Sequence, residues 1–332
     1  MSGVASATSS ENRWLSVAAW RAVFRDRPII PLIALLAVLI ILSQLTRPGI
    51  VSEDWVRVIL QAAVPLAILA GCQTLTMLTG GIDLSVGAVA SMAGFVVATL
   101  IHGPGLQTGL VVALVAAVLV GLLNGIGVGV FRVHPLIMTI GMSLVVLGLA
   151  NAWQIVTLQT FTGVADELRS LGSGRFLEVL PNSLYVFLPV AGLILLGLRR
   201  TGYGRLLYAI GDNPVATRLS GVRSWQVLIV LYVISAVMAA LAGFLISGLT
   251  NVASVSLADS FILPSVAAAV IGGTSILGGR GGFGGTIAGA LILTVITSLL
   301  TSLGYPEAVR QVLFGAIIVV VAAAYTRVTA ES

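Results

Sequence analysis

The sequence predicts an all-α, polytopic integral membrane protein, and three observations support this prediction. Of the 332 residues, 58% are hydrophobic and 9% are charged, and the mean hydropathy is +1.10. A soluble domain carries roughly 25% charged residues, so this chain has too few charges to cover a water-exposed surface. Its apolar runs lack the alternation of a membrane β-barrel, and aromatic residues make up only 6% of the chain.

Apolar runs recur at the length of a membrane-spanning helix, which is roughly 20 residues. The runs at 86–101, 184–198 and 263–279 are short, so the predicted number of spans is about ten, within a range of eight to ten. The candidate spans are 30–46, 57–79, 86–101, 107–130, 135–157, 184–198, 226–248, 263–279, 284–303 and 309–326.

The arginines indicate the orientation, because positively charged loops favour the cytoplasmic side. Residues 1–29 are polar and basic without a signal-peptide core, and are predicted to form a cytoplasmic tail. Ten spans then place the 199–225 segment, which has five arginines and one aspartate, on the inner side too. The membrane domain is thus predicted at 30–326, with a cytoplasmic C-terminal tail at 327–332.

The 158–183 segment is the longest connection on the predicted outer side. Its composition predicts a surface loop containing a short amphipathic helix. The connections of this chain are too short to hold a soluble domain with its own core.

Missing residue types exclude several chemistries. All 17 basic residues are arginine, so the chain has no lysine for a P-loop or a Schiff base. Cys72 is the single cysteine, which excludes a disulfide within the chain, and His102 with His134 cannot form a zinc site without further ligands. No convergent set of nucleophile, base and metal ligands indicates an enzyme.

Two stretches, TGGIDLSVGAVASMAG at 79–94 and IGGTSILGGRGGFGGTIAGA at 271–290, share a pattern. Each places a Gly-Gly break beside an apolar run and then begins a helix of small residues. This short, glycine-based pattern is compatible with an internal repeat, which transporters often contain, with broken helices at the working site.

Asp83 is the only acid in the apolar core of the N-terminal half. A carboxylate at the bilayer centre costs about 2.5–3.5 kcal/mol, so we expect Asp83 at a span end, in a re-entrant turn or on a water-lined cavity. Gly80 and Gly81 supply a turn. Two interpretations stay open. In the first, Asp83, followed by Ser85, caps the 86–101 helix. In the second, Asp83 lines a translocation path or a subunit interface.

Asn124 lies among the glycines of the sequence GLLNGIGVGV, which allow close helix approach. Its amide is expected to bind either a hydroxylated solute or a neighbouring helix. The candidate path or gate residues are therefore Gly80, Gly81, Asp83, Ser85 and Asn124.

The 278–282 turn, GGRGG, resembles a phosphate cradle but lacks a lysine and a preceding strand, so nucleotide binding is rejected. A tight cytoplasmic hairpin anchored by Arg280 is predicted instead. The 204–222 loop combines apolar residues with a Gly-Asp-Asn-Pro turn between two predicted helical pieces. A loop that only meets anionic lipid does not need this turn, so docking to a partner protein is favoured.

Four blocks occur in order along nearly the whole chain: TGGIDLSVG, GLLNGIGVGVFRVHPLIMTIGM, TGYGRLLYAIGDNPVATRLSGV and IGGTSILGGRGGFGGTIAGALI. In these blocks the chain resembles the permease subunits of bacterial ATP-binding cassette (ABC) importers for carbohydrates, of the ribose, galactoside and xylose type. The resemblance implies a second permease subunit, identical or a sister, two ATPase domains that bind ATP and magnesium, and an external solute-binding protein. It implies the bacterial inner membrane as the location and no cofactor in this chain.

The resemblance also implies an ATPase-coupling segment within 199–225. The family often has glycine where Asp212 stands and alanine where Thr217 stands, and these two departures leave docking intact. The coupling positions that match are Gly204, Arg205, Tyr208, Ala209, Gly211, Asn213, Ala216, Arg218 and Gly221.

Three alternatives to a carbohydrate permease stay open. An ion-coupled secondary transporter needs several acids or histidines within its spans, and this chain offers essentially Asp83. A membrane enzyme lacks its catalytic set. An ABC permease for a nucleoside, amino acid or signalling molecule differs only in its solute, and the TGGIDLSVG block favours carbohydrate by resemblance alone.

Overall fold

The protein is described by a computed structural model that covers residues 29–101, 103–157, 163–176 and 180–330, with side chains up to 320. His102 and residues 1–28 of the predicted tail 1–29 lie outside the described residues, as do 158–162, 177–179 and 331–332. The helices are α1 (Ile29–Thr46), α2 (Glu53–Leu78), α3 (Val86–Leu100), α4 (Leu106–Gly129), α5 (Pro135–Thr157), α6 (Asp166–Ser173), α7 (Leu184–Arg200), α8 (Gly202–Asp212), α9 (Pro214–Leu219), α10 (Ser224–Thr250), a 3₁₀ turn (Asp259–Phe261), α11 (Ile262–Ile271), α12 (Phe283–Ser302) and α13 (Glu307–Ala330).

Each predicted apolar run contains a helix, which confirms the all-α multi-pass architecture. Six helices of the described part (α1, α2, α4, α5, α10 and α12) are long and apolar enough to cross a bilayer, and a seventh span results if α7 and α8, bent by 70°, count as one. The runs at 86–101 and 263–279 form helices of only 15 and 10 residues. The helix α11 ends at Ile271 because Gly272 and Gly273 follow, and Gly273 adopts a φ of +87°.

The interior is organised around α2 and α10, whose buried residues far outnumber those of α1 and α5. Small residues bring α4 and α10 together, as the sequence predicts. A Cβ on Gly121 would lie 2.6 Å from the backbone oxygen of Tyr232, and one on Gly125 would lie 2.5 Å from Cα of Ile229. The outer faces of α1 and α5 expose large apolar side chains such as Leu144, which suits contact with lipid.

The long connection between α5 and α7 contains the predicted short helix, α6, followed by a two-stranded antiparallel hairpin of β1 (Arg175–Phe176) and β2 (Leu180–Pro181). The helix packs on α10, where a Cβ on Gly248 would lie 2.0 Å from the carbonyl oxygen of Leu168. Gln61 Nε2 of α2 donates to the Ser173 carbonyl at 2.8 Å.

Two non-helical breaks lie at the end of the bundle that carries the 199–225 segment. The first break, 79–85, connects α2 to α3, and the second break, 272–282, connects α11 to α12. The same end also carries a cluster of arginines in its loops and helix termini: Arg132, Arg199, Arg200, Arg205, Arg218, Arg223 and Arg280.

Candidate functional site

Asp83 lies in the first break and is 1% exposed. Its Oδ1 accepts hydrogen bonds from Ser85 N at 3.0 Å and from Ser85 Oγ at 2.6 Å, and its Oδ2 accepts one from Ser235 Oγ at 2.8 Å. The helix α3 begins with Ser85 as its N-cap residue, and no side chain caps it. Asp83 therefore does not cap α3 directly, and instead stabilises the turn before the helix by accepting hydrogen bonds from Ser85, two residues later.

Neighbouring helices hold the backbone of the first break. Gln73 of α2 accepts from Asp83 N at 3.2 Å through Oε1 and donates to Asp83 O at 2.8 Å through Nε2. Thr139 Oγ1 of α5 accepts from Leu84 N at 3.1 Å and bonds Ile82 O at 3.2 Å. These bonds satisfy the polar groups of a buried non-helical segment, which makes such a segment tolerable at membrane depth.

Asn124 joins the same network from α4. Its Nδ2 donates to Ser85 Oγ at 2.9 Å, whereas its Oδ1 has no hydrogen-bond partner within the described part of the chain. The buried hydroxyl of Tyr232 on α10 is also unpartnered there, and it would lie 3.4 Å from a Cβ on Gly81. The structure thus brings Gly81, Asp83, Ser85 and Asn124 together. Gly80, which has a φ of +78°, lies at the edge of the group.

Sequence reasoning missed three members of this group: Gln73, Thr139 and Ser235. All three are fully buried polar residues inside apolar helices. That property is the only sequence signal that identifies them as candidate site residues, because polar residues within spans are energetically costly and are usually functional. Which break they support could not be read from their positions in the chain.

The 204–222 loop folds as the two short helices that its Gly-Asp-Asn-Pro turn predicts. Asn213 caps α9 by accepting from Val215 N at 3.1 Å and Ala216 N at 2.9 Å, with Pro214 as the first helical residue. Thr217 Oγ1 bonds Ala209 O at 2.8 Å and so joins α9 to α8. Here threonine, where the family often has alanine, adds a hydrogen bond.

Three of the coupling residues face the bundle. Gly204 leaves no room for a side chain, since a Cβ there would lie 2.4 Å from Leu198 O. Gly211 is equally confined, with a Cβ placed 1.9 Å from Leu78 O. Tyr208 Oη donates to Gly281 O at 2.9 Å. Partial burial raises the pKa of the Tyr208 phenol, and the nearby Arg199 opposes that increase.

The other coupling residues lie towards solvent. Arg205, Asn213, Ala216, Arg218 and Gly221 are exposed, and Ala209 is half-buried. Leu219 and Val215 are 84% and 54% exposed, so α9 presents apolar side chains beside Arg218. The second break adds the predicted hairpin, in which Ser275 N donates to Arg280 O at 2.9 Å.

Comparison with known proteins gives the family. Residues 56–322 match the model described as the permease component of branched-chain amino acid transport systems. The chain is 34% identical to the ribose import permease of Escherichia coli K12 over 303 residues, 88% of this chain and 91% of the relative. It is 32% identical to the fructose import permease of Rhizobium meliloti over 301 residues, 89% of this chain and 84% of the relative. It is also 32% identical to the galactofuranose transporter permease of E. coli K12 over 265 residues, covering 79% and 77% of the two chains.

This chain belongs to that permease family. It is accordingly a multi-pass membrane subunit of an ABC importer rather than an enzyme. No solved structure matches the chain. The family segment begins within α2 and ends within α13, so it includes both breaks and the whole 199–225 segment of the permease.

Proposed function

We propose that this permease imports a sugar or sugar-like solute. The observation that carries the proposal is that ribose, fructose and galactofuranose permeases each align with most of this chain at 32–34% identity. Similarity spread over the whole membrane domain supports a common mechanism. The identity of the sugar is a separate question, because an external binding protein can set it.

The proposed assembly contains this permease, a second copy or a sister permease, two ATPase domains and an external solute-binding protein. ATP and magnesium bind to the ATPase, and the permease itself needs no cofactor. Both termini and the 199–225 segment lie in the cytoplasm of a bacterial cell, across the inner membrane from the 158–183 connection. The loop arginines at one end of the bundle support this orientation.

In the proposed mechanism the ATPase closes on ATP and moves α8 and α9, and the spanning helices then rock between outward-facing and inward-facing states. The solute passes without covalent change. The exposed Leu219 and Val215, flanked by Arg218, support docking of α9 into a groove of the ATPase. Asp83, Ser85 and Asn124 with Gly80 and Gly81 are proposed to serve the path or its gate.

A branched-chain amino acid is the second candidate solute. The description of the matching family model names that class, whereas the three relatives compared above are named for sugars. The family match does not favour an ion-coupled secondary transporter.

An uptake assay that compares labelled sugars with labelled leucine separates the two candidate solutes. The permease is expressed with its ATPase and binding protein in cells lacking their own systems for the test solutes, and uptake of labelled ribose, fructose, galactose and leucine is measured. The matched control carries an inactivating substitution of the P-loop lysine in the ATPase. We expect uptake of at least one sugar, lost in the control.

Uptake of leucine alone would replace the sugar by an amino acid. Uptake that persists with the inactive ATPase would contradict the whole proposal, since the permease would then move solute without ATP hydrolysis.

A further inference from the structure

The two non-helical breaks touch each other through backbone. Gly279 N of the second break donates at 3.0 Å to the carbonyl of Leu78, the last residue of α2 before the first break, and a Cβ on Gly278 would lie 3.0 Å from Gly80 N. A Cβ on Gly80 would lie 3.5 Å from the Leu277 carbonyl oxygen. The first break and the second break, almost 200 residues apart in sequence, therefore meet at the end of the bundle that carries α8.

The helix α8 lies directly on this meeting point. Gly211 contacts the end of α2, where the first break begins, and also the second break, because a Cβ there would meet Leu78 O and would lie 2.5 Å from Gly279 N. Tyr208, one turn earlier, donates its hydroxyl to Gly281 O at 2.9 Å. No side chain separates Gly211 from the two backbones. The contact is thus stiffer than one made through flexible side chains.

Each break connects a long span to an apolar helix that is too short to cross a membrane alone: the first break connects α2 to α3, and the second connects α11 to α12. The 15 residues of α3 and the 10 residues of α11 fall below the roughly 20 that a span needs. The breaks also contain glycines at positive φ, which absorb large backbone changes easily: Gly80, Gly273, Gly278, Gly279 and Gly281. A displacement of α8 would therefore act on the two short helices, α3 and α11, through glycine-containing segments that can change conformation easily.

A second tyrosine of α8 contacts a continuous span instead of a break. Tyr203 donates its hydroxyl to Val227 O of α10 at 3.1 Å. This bond has the same chemistry as that of Tyr208, from the same helix, but it ends on a continuous 27-residue span. The two tyrosines therefore form a matched pair, in which one contacts a break and the other contacts a continuous span.

We propose that Tyr208 and Gly211 are positioning residues that fasten α8 to the paired breaks, so that motion of α8 reaches α3 and α11 as one unit. This inference rests on the proposed function, since it requires an ATPase that moves α8. It differs from ATPase docking because these two residues act inside the permease.

The first test compares Tyr208→Phe with Tyr203→Phe in the complete complex. The tagged permease is purified with its ATPase and placed in liposomes with its binding protein. ATP hydrolysis and uptake are measured for whichever of ribose, fructose or galactose the wild type imports. Loss of one net hydrogen bond changes an equilibrium by about two- to tenfold. We expect Tyr208→Phe to lower the solute imported per ATP by that factor, with hydrolysis retained, and Tyr203→Phe to leave the ratio unchanged.

Equal ratios for both variants, or a larger loss for Tyr203→Phe, would overturn the inference. ATP-driven uptake by the wild type tests the proposed function separately, because it involves neither substitution.

The second test locks the contact. A Cβ on Gly279 would lie 3.3 Å from Asp212 Cβ, close to the roughly 3.5–4.5 Å between Cβ atoms of a disulfide. The double variant Asp212→Cys, Gly279→Cys should therefore cross-link on oxidation. If α8 and the second break move as one unit, import per ATP should stay within about twofold of the reduced protein. Loss on oxidation that a reductant restores, absent from both single-cysteine variants, would show that α8 slides over the break and would refute the inference.

Discussion

The buried carboxylate of Asp83 gives the sharpest stability prediction. Asp83→Ala removes the acceptor of three hydrogen bonds, two from Ser85 and one from Ser235, all buried. A buried donor without a partner costs about 1–3 kcal/mol. The two hydroxyls can turn towards nearby carbonyls, but the Ser85 N–H cannot rotate away. We therefore expect Asp83→Ala to lower the free energy of unfolding by about 1–3 kcal/mol, the cost of one buried donor without a partner.

Asp83→Asn has a different expected cost. Its amide oxygen replaces Oδ1 and accepts both bonds from Ser85, while its NH₂ group replaces Oδ2 and donates to Ser235 Oγ, whose proton turns to a carbonyl of α10. All three contacts survive, and the expected loss is about 1 kcal/mol or less.

The assay is thermal unfolding of the purified permease in detergent, together with its abundance in membranes. The matched control is the same pair of substitutions at Asp259, an exposed acid of the 3₁₀ turn, where alanine and asparagine should behave alike. Equal stability of Asp83→Ala and Asp83→Asn would refute the network argument. Near-normal uptake by Asp83→Asn is also expected, because both carboxylate oxygens already have partners. Lost uptake in a stable Asn variant would assign the charge to the path.

Two further predictions concern helix packing. Gly121→Ala should cost about 1–3 kcal/mol by overpacking, since its Cβ would meet the Tyr232 carbonyl at 2.6 Å; Gly148→Ala, with nothing within 4 Å, should be neutral in the same unfolding assay. Thr74 and Thr286 join α2 to α12 through a 2.6 Å contact between their hydroxyls. Each single change to valine should lower the free energy of unfolding by about 0.5–1.5 kcal/mol, and the double change should lower it by less than the sum of the two. Strictly additive losses would show that the hydroxyls do not interact.

The sequence predicts the helices well because bilayer-spanning helices need long apolar runs, and these are visible residue by residue. It predicts helix ends less well. The 263–279 run stays apolar enough to be counted as a span, yet its helix ends at Ile271, before the glycines. Mean hydropathy does not register that glycine weakens a helix through backbone freedom.

The site was partly predictable for a related reason. Asp83, Asn124 and the Gly-Asp-Asn-Pro turn stand out locally, since a charge, an amide or a turn is unusual among apolar residues. Their partners depend on tertiary packing: Ser235 is 152 residues from Asp83, and Gln61 reaches Ser173 across 112. Nothing in one sequence fixes those pairs. The inward direction of Gly211 is likewise a property of packing.

The residues of the coupling segment face in two directions, towards the bundle and towards solvent. Gly211 faces the breaks, while Arg218 on α9 faces solvent. Substitution of either residue should lower import, but for different reasons. Arg218→Glu reverses a charge on the docking surface, so it should lower the amount of co-purified ATPase, by about tenfold if the contact is worth about 1.4 kcal/mol. Arg175→Glu, an exposed charge reversal in the 158–183 connection, is the matched control. Gly211→Ala should retain the ATPase and its hydrolysis while import stops, because the new Cβ displaces α8 from Leu78. If instead Gly211→Ala releases the ATPase as Arg218→Glu does, the two faces of the segment are not independent, and the division proposed for them is wrong.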